Sequence, residues 1–145
     1  MNRLTEGKSV AHLGALLIGV AYLSGGLIGL LYTNGFGGFV DSQGTKLYGL
    51  FTINPFHNVF HIAVGILFLL CYAKASSSIT EGALLGVGAI YVVATITGFI
   101  YAHIPVIALT SASDPDNYLH LITGLTAIFA AVVSAGATNK RRITA

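Results

Sequence analysis

Four apolar runs separated by short polar breaks organise this chain, at residues 11–33, 56–73, 82–103 and 117–137. Each is about 20 residues long, the second being the shortest, which at 1.5 Å per residue is enough to cross a hydrocarbon core of about 30 Å. The pattern predicts an all-α, four-helix transmembrane bundle forming a single membrane domain over residues 1–145. The first run is longer than the apolar core of a secretory leader and passes into Asn34-Gly35-Phe36-Gly37-Gly38 without a small-x-small cleavage pattern, so it is expected to be retained.

The breaks differ in character. The first external loop, residues 34–55, carries Phe36, Phe39, Tyr48 and Phe51 among its polar residues, with Phe56 directly after it, and is expected to lie partly at the headgroup level. The stretch from Lys74 to Glu81 reads as a short polar turn.

The two halves of the chain look alike. Gly19, Tyr22, Gly29 and Tyr32 recur at Gly88, Tyr91, Gly98 and Tyr101 with one constant offset, and Asn58-x-x-His61-x-x-x-Gly65 recurs as Asn117-x-x-His120-x-x-x-Gly124. This predicts two tandem helical hairpins, an internal duplication in which the first external loop is about ten residues longer than the second. Copies with an even number of spans point the same way, which sets His61 beside His120. Gly25 with Gly29 and Gly82 with Gly86 form small-xxx-small pairs that let helix backbones approach one another.

Composition agrees with a bilayer. The chain is 54% hydrophobic and 8% charged, with a mean hydropathy of +0.81, and so lacks the charged surface of a soluble domain. Arg3, Lys8, Lys74, Lys140, Arg141 and Arg142 fall on one side of a four-span arrangement and only Lys46 on the other. By the positive-inside rule both termini are cytoplasmic, and Asp41, Asp114 and Asp116 are external. A net charge of +2, split between the tails, gives no footprint for nucleic acid. The lone Cys71 has no disulfide partner within the chain and reads as a small buried hydrophobe. His12, near the cytoplasmic side, reads as interfacial.

The chemistry lies in the histidines. His57, His61 and His120 sit where a polar loop enters an apolar helix, after Asn54-Pro55 and Asp114-Pro115, which suit a cap and a first helical position. His57 and His61, four apart, share a helix face, and His103 ends the third span at the same external level.

Three readings stay open at this point. A transition metal can be held by His57, His61, His120 and His103, completed by Asp114 or Asp116. A haem or chlorophyll can be ligated by His61 and His120, with Gly65 and Gly124 one turn below making room for the macrocycle. Alternatively, Asn58 and Asn117 hydrogen-bond the imidazoles or the opposite helix, and the cluster only fixes helix register. No Cys pair, His-Glu-x-x-His or haem-attachment motif narrows the choice. Tyr32 and Tyr101 are placed either to reach the site or to anchor the interface. Thr123 and Thr126 lack a base and an orienting acid, and every acidic residue is assigned to a loop or tail, which disfavours nucleophilic catalysis and a proton pump.

The run Gly49-Leu50-Phe51-Thr52-Ile53-Asn54-Pro55-Phe56-His57-Asn58-Val59-Phe60-His61, with Gly65 and the later Asp116-Asn117-Tyr118-Leu119-His120-Leu121-Ile122-Thr123-Gly124, resembles a bacterial membrane family catalogued as domain of unknown function 4383. That family has four predicted spans and an Asn-Pro-x-His-Asn-x-x-His signature. The resemblance implies the four-span architecture and the importance of His57, His61 and His120, and it brings no activity or cofactor with it. His103 lies outside the signature.

The sequence thus leads to a small integral membrane protein acting as a structural or accessory subunit, in contact with lipid and with other transmembrane subunits or a second copy of itself. It leans away from an enzyme. A haem-, chlorophyll- or metal-binding redox or pigment protein is the alternative, and a small transporter or channel the third class.

Overall fold

A computed structural model describes residues 7–41, 45–101 and 103–144, with side chains through residue 137. Arg3 and the side chains of Lys140, Arg141 and Arg142, used above for orientation, lie outside what it describes. Four long helices run α1 (Val10–Tyr32), α2 (Pro55–Lys74), α3 (Ser77–Tyr101) and α4 (Pro115–Thr144). All four are long and apolar enough to cross a membrane, α4 over Pro115–Ala137. The chain is an all-α four-helix bundle. Leu17 at 72%, Leu31 at 78% and Phe129 at 68% exposure point outward, a surface that hydrocarbon rather than water would cover.

α1 packs mainly on α2 and α3 mainly on α4, and the two hairpins meet chiefly along α1 and α4. Small residues make both hairpins tight. A Cβ on Gly19 would stand 3.2 Å from the Gly65 carbonyl oxygen, and one on Gly88 would stand 2.9 Å from that of Gly124. Without a hydrophobic drive between helices in lipid, such close backbone approach supplies the van der Waals contact that holds them. The core between the hairpins comprises Ala11, Ala15, Ile18, Val64, Phe68, Leu84, Ala127 and Ala131, with Tyr22 and Tyr91 at its external end.

The helix ends follow from local chemistry. Asn54 accepts from the His57 amide at 2.7 Å, and Pro55 opens α2; Pro115 likewise opens α4. α2 and α3 are separated only by Ala75 and Ser76. The polar turn read from Lys74 to Glu81 is therefore mostly helix, because the Ser76 hydroxyl accepts from the Ile79 amide and caps α3. His12 is not merely interfacial. It is buried, its Nδ1 accepts from the Ser9 amide in a reciprocal cap, and its Nε2 lies 3.0 Å from the Ala75 carbonyl oxygen, tying α1 to the end of α2.

The loop between α1 and α2 folds over the external end. β1 (Lys46–Leu47) and β2 (Phe51–Thr52) form an antiparallel hairpin with Leu47 opposite Phe51. Tyr48 and Gly49 turn it at φ 53° and 73°. Both are left-handed, the primed geometry that matches strand twist. Between α3 and α4 a 3-10 turn, Pro105–Ile107, closes through a bridge between Ile104 and Leu109.

A cluster of histidines and a buried aspartate

Counting from Pro55, His61 lies six residues into α2, about 9 Å below the helix start at 1.5 Å per residue. His120 lies at a similar depth in α4. One turn nearer the surface on the same faces are His57 in α2 and Asp116 in α4, so each helix presents two polar groups four residues apart. The face-to-face approach of the hairpins brings all four together.

The ligand nitrogens of His57, His61 and His120 lie within 4.8 Å of one another. Nε2 of His57 is 2.9 Å from Nε2 of His61. Asp116 Oδ2 is 3.7 Å from His57 Nε2 and 3.5 Å from His120 Nε2. His57, His120 and Asp116 are buried and His61 is half-buried. Tyr22 packs on His61 with ring centroids 4.5 Å apart, and Tyr91 stacks on His120 at 5.0 Å and 7°. The tyrosines meet each other at 5.3 Å.

His57 has a defined tautomer. Its Nδ1 lies 3.0 Å from the Ile107 carbonyl oxygen, which can only accept, so Nδ1 carries the hydrogen and Nε2 presents its lone pair to the cluster. A backbone carbonyl behind an imidazole is the arrangement that fixes ring orientation at metal sites. Around the cluster Asp116 Oδ2, His120 Nδ1 and the Tyr22 and Tyr91 hydroxyls are buried with no hydrogen-bond partner among the described residues. Buried carboxylate and imidazole groups are almost always paired, so atoms in this state call for a missing partner.

Asp114, the other candidate carboxylate, is committed elsewhere. Its Oδ2 accepts from the hydroxyls of Thr110 at 2.9 Å and Thr52 at 3.2 Å, and its Oδ1 accepts from the Asp116 amide at 3.2 Å. Asp114 therefore pins the external loops, while Asp116 faces the histidines. The expectation that every acidic residue lies in a loop or tail is corrected, since Asp116 is in the first turn of α4 and Glu81 within α3.

Other expected site residues lie apart. His103 is exposed and lines a separate concavity with Asp41 and Pro105, because the chain leaves α3 at Tyr101 before reaching it. Asn58 and Asn117 do not bond the imidazoles. The Asn58 amide donates to Thr33 Oγ1 at 3.5 Å and that of Asn117 to the Ala112 carbonyl at 3.0 Å. Each Asn side chain fills the hollow over a glycine of the paired helix, Gly29 and Gly98 respectively. Tyr32 and Tyr101 face outward, and it is Tyr22 and Tyr91, a turn pattern deeper in the same repeat, that touch the histidines.

The residues do not fit a tetrapyrrole between His61 and His120. The space beside Gly65 is taken by the Leu23 backbone, 2.5 Å from where a Cβ would stand, and that beside Gly124 by Gly88 and Tyr91. No slot for a flat macrocycle remains at the two glycines. A single ion suits the cluster better. Ligand bonds of about 2.0–2.2 Å put neighbouring donors about 3–3.6 Å apart, so small side-chain shifts from spacings of at most 4.8 Å among the imidazole nitrogens would close them on one ion.

Two cavities flank the cluster. One, of about 270 Å³, opens between α2 and α3 and reaches His57, His61 and His120. The other, of about 220 Å³, lies between α1, α2 and α4 beneath the β1–β2 hairpin and reaches His57, His61 and Asp116.

No curated protein and no solved structure matches the chain. A family model described as Domain of unknown function (DUF4383) matches residues 12–133, from the first turn of α1 through the apolar part of α4. The match takes in all three clustered histidines and Asp116, and the chain belongs to that family.

Proposed function

We propose that this chain is an integral membrane metalloprotein in which His57, His61, His120 and Asp116 hold one divalent transition-metal ion. The observation that carries the reading is the convergence of three imidazoles and a buried carboxylate oxygen, Asp116 Oδ2, which stands 3.5 and 3.7 Å from two imidazole nitrogens and makes no hydrogen bond. Burying a carboxylate beside imidazoles without a partner is unfavourable, and a cation removes that penalty. An all nitrogen-and-oxygen donor set favours zinc, iron, manganese, nickel or copper(II) over soft ions, because Cys71 lies near the far end of α2. Such a centre can polarise an oxygen ligand, or carry an electron if the ion is redox-active.

By the positive-inside argument, with Lys8 and Lys74 at one end of the bundle, the site belongs to the non-cytoplasmic leaflet and both termini to the cytoplasm. The matched pairs Gly29–Asn58 and Gly98–Asn117, and His57–His61 opposite Asp116–His120, favour descent of the two hairpins from one duplicated ancestor. The decisive test is elemental analysis of the protein purified in detergent after growth with supplemented metals. About one ion per chain, lost in His61→Ala and in Asp116→Asn while helicity is kept, is expected. A folded, metal-free protein that takes up no zinc, cobalt or iron on titration overturns the reading.

An accessory-subunit role has separate support. Gly82 and Gly86 are exposed on α3, and a Cβ on either would meet no other part of the described chain within 4 Å, an open small-xxx-small face of the type that receives another transmembrane helix.

A further inference from the structure

The cavity between α2 and α3 is a port from the bilayer. Phe60 and Ile90 form part of its wall and are 40% and 53% exposed on the outward faces of their helices, so its mouth opens sideways into hydrocarbon. Above it the Pro105–Ile107 turn is held down, with the Asn54 amide donating to the Pro105 carbonyl at 2.8 Å and His57 Nδ1 to that of Ile107 at 3.0 Å. That turn covers the cavity on its aqueous side. Into this cavity, access from the aqueous side is therefore narrower than access from lipid.

Within the cavity the chemistry changes sharply with depth. Phe56, Phe60, Ile90, Ala94 and Val106 offer no polar side-chain group, and the polar side chains that line it are those of His57, His61, His120 and Tyr91. A phosphate or sugar headgroup finds no Lys, Arg or amide along these walls. A divalent ion held by three neutral imidazoles and one carboxylate retains a net charge of +1 in an apolar enclosure, where one further anionic oxygen donor is strongly favoured. The occupant must therefore join one anionic oxygen head to an apolar tail.

We infer that the α2–α3 cavity admits a long-chain carboxylate from the bilayer and delivers its head to the open side of the His57, His61, His120 and Asp116 centre. This rests on the metal reading above and names the class of ligand that the same site takes. A volume of about 270 Å³ holds the head and the first several methylenes, leaving the rest of the tail among the surrounding lipid chains.

The test uses the full chain in phosphatidylcholine nanodiscs loaded with cobalt(II), whose visible absorption reports its ligands. Laurate is expected to change the spectrum with saturation at one per chain, whereas dodecanol and acetate at the same concentration leave it unchanged. Ala94→Phe, which places a ring in the cavity at a residue that is not one of the donors, is expected to keep full cobalt content and to weaken the laurate response at least about tenfold. Ile90→Trp provides a second block should Ala94→Phe fail to fold. An acetate response equal to that of laurate, or undiminished laurate binding in folded Ala94→Phe or Ile90→Trp, overturns the port. So does cobalt-loaded wild type that ignores laurate. Absence of cobalt uptake in wild type removes the metal centre itself, and with it the ligand.

Discussion

Nε2 of His57 stands 2.9 Å from Nε2 of His61, one turn along the same helix. Because His57 Nδ1 donates to the Ile107 carbonyl, His57 Nε2 is the acceptor in this contact and His61 Nε2 the donor. His61 must therefore lose that hydrogen before its Nε2 can ligate, whereas His57 is already set. Replacing His57 by Ala removes a preset ligand, and His57→Gln keeps a polar side chain without its ring geometry. Both are expected to lower metal affinity by at least about 100-fold, as read by competition with a chromophoric chelator. Affinity unchanged in both variants contradicts the assignment of His57.

Metal uptake is expected to fall as pH is lowered. Imidazole ligates only when neutral, so protons compete with the ion for the ligand nitrogens. Equilibrium dialysis against zinc from pH 5 to pH 7.5 checks the sign. Affinity that increases as pH falls speaks against histidine ligation.

The two aspartates are expected to separate by phenotype. Asp114→Ala removes the acceptor for the Thr52 and Thr110 hydroxyls and for the Asp116 amide, which predicts a loss of about 1–3 kcal/mol in stability and a lower thermal midpoint in detergent. Asp116→Asn keeps size and burial, lowers metal content, and leaves the midpoint of the metal-free protein unchanged or raised, since it relieves a buried charge.

Gly29 and Gly98 are seats for asparagine side chains. A methyl at either position would overlap Asn58 or Asn117, so Gly29→Ala and Gly98→Ala are each expected to destabilise by about 1–3 kcal/mol. Asn58→Ala should restore part of the loss in the Gly29→Ala background. Gly25→Ala, with nothing within 4 Å, should be neutral, and thermal unfolding followed by circular dichroism distinguishes these cases.

If the open α3 face receives another helix, Gly82→Leu with Gly86→Leu should abolish cross-linked dimers or co-purified partners in native membranes without lowering the thermal midpoint. Unchanged association places the contact elsewhere.

The sequence displayed the four helices plainly, because apolar runs of this length have few alternatives in lipid. It also showed His61 and His120 at one depth, with His57 a turn above His61 on the same face, since Pro55 and Pro115 mark the helix starts. Spacing alone did not settle which neighbours complete the cluster. His103 shares the external level but not the direction, as the chain turns away after Tyr101. Asp116 and Asp114 are two residues apart, and only the Thr52 and Thr110 hydroxyls, distant or looped, decide which one is spent on the loops. The asparagines looked like partners for imidazole because they precede each histidine by three. Their real contacts are glycines of the adjacent helix, legible only once the repeat was read as two paired helices. Tyr22 and Tyr91 belong to that same repeat, but the outer pair, Tyr32 and Tyr101, lies nearer the external loops and so reads as the pair placed to reach the site.

The four donors are divided two and two between the hairpins: His57 and His61 from the first, Asp116 and His120 from the second. Neither half can make the cluster alone, so a bound ion would act as a clasp across the seam, and occupancy would report whether the halves have docked. Two separately expressed fragments divided between Ala75 and Ser76 should then find each other more readily when metal is supplied than when it is withheld.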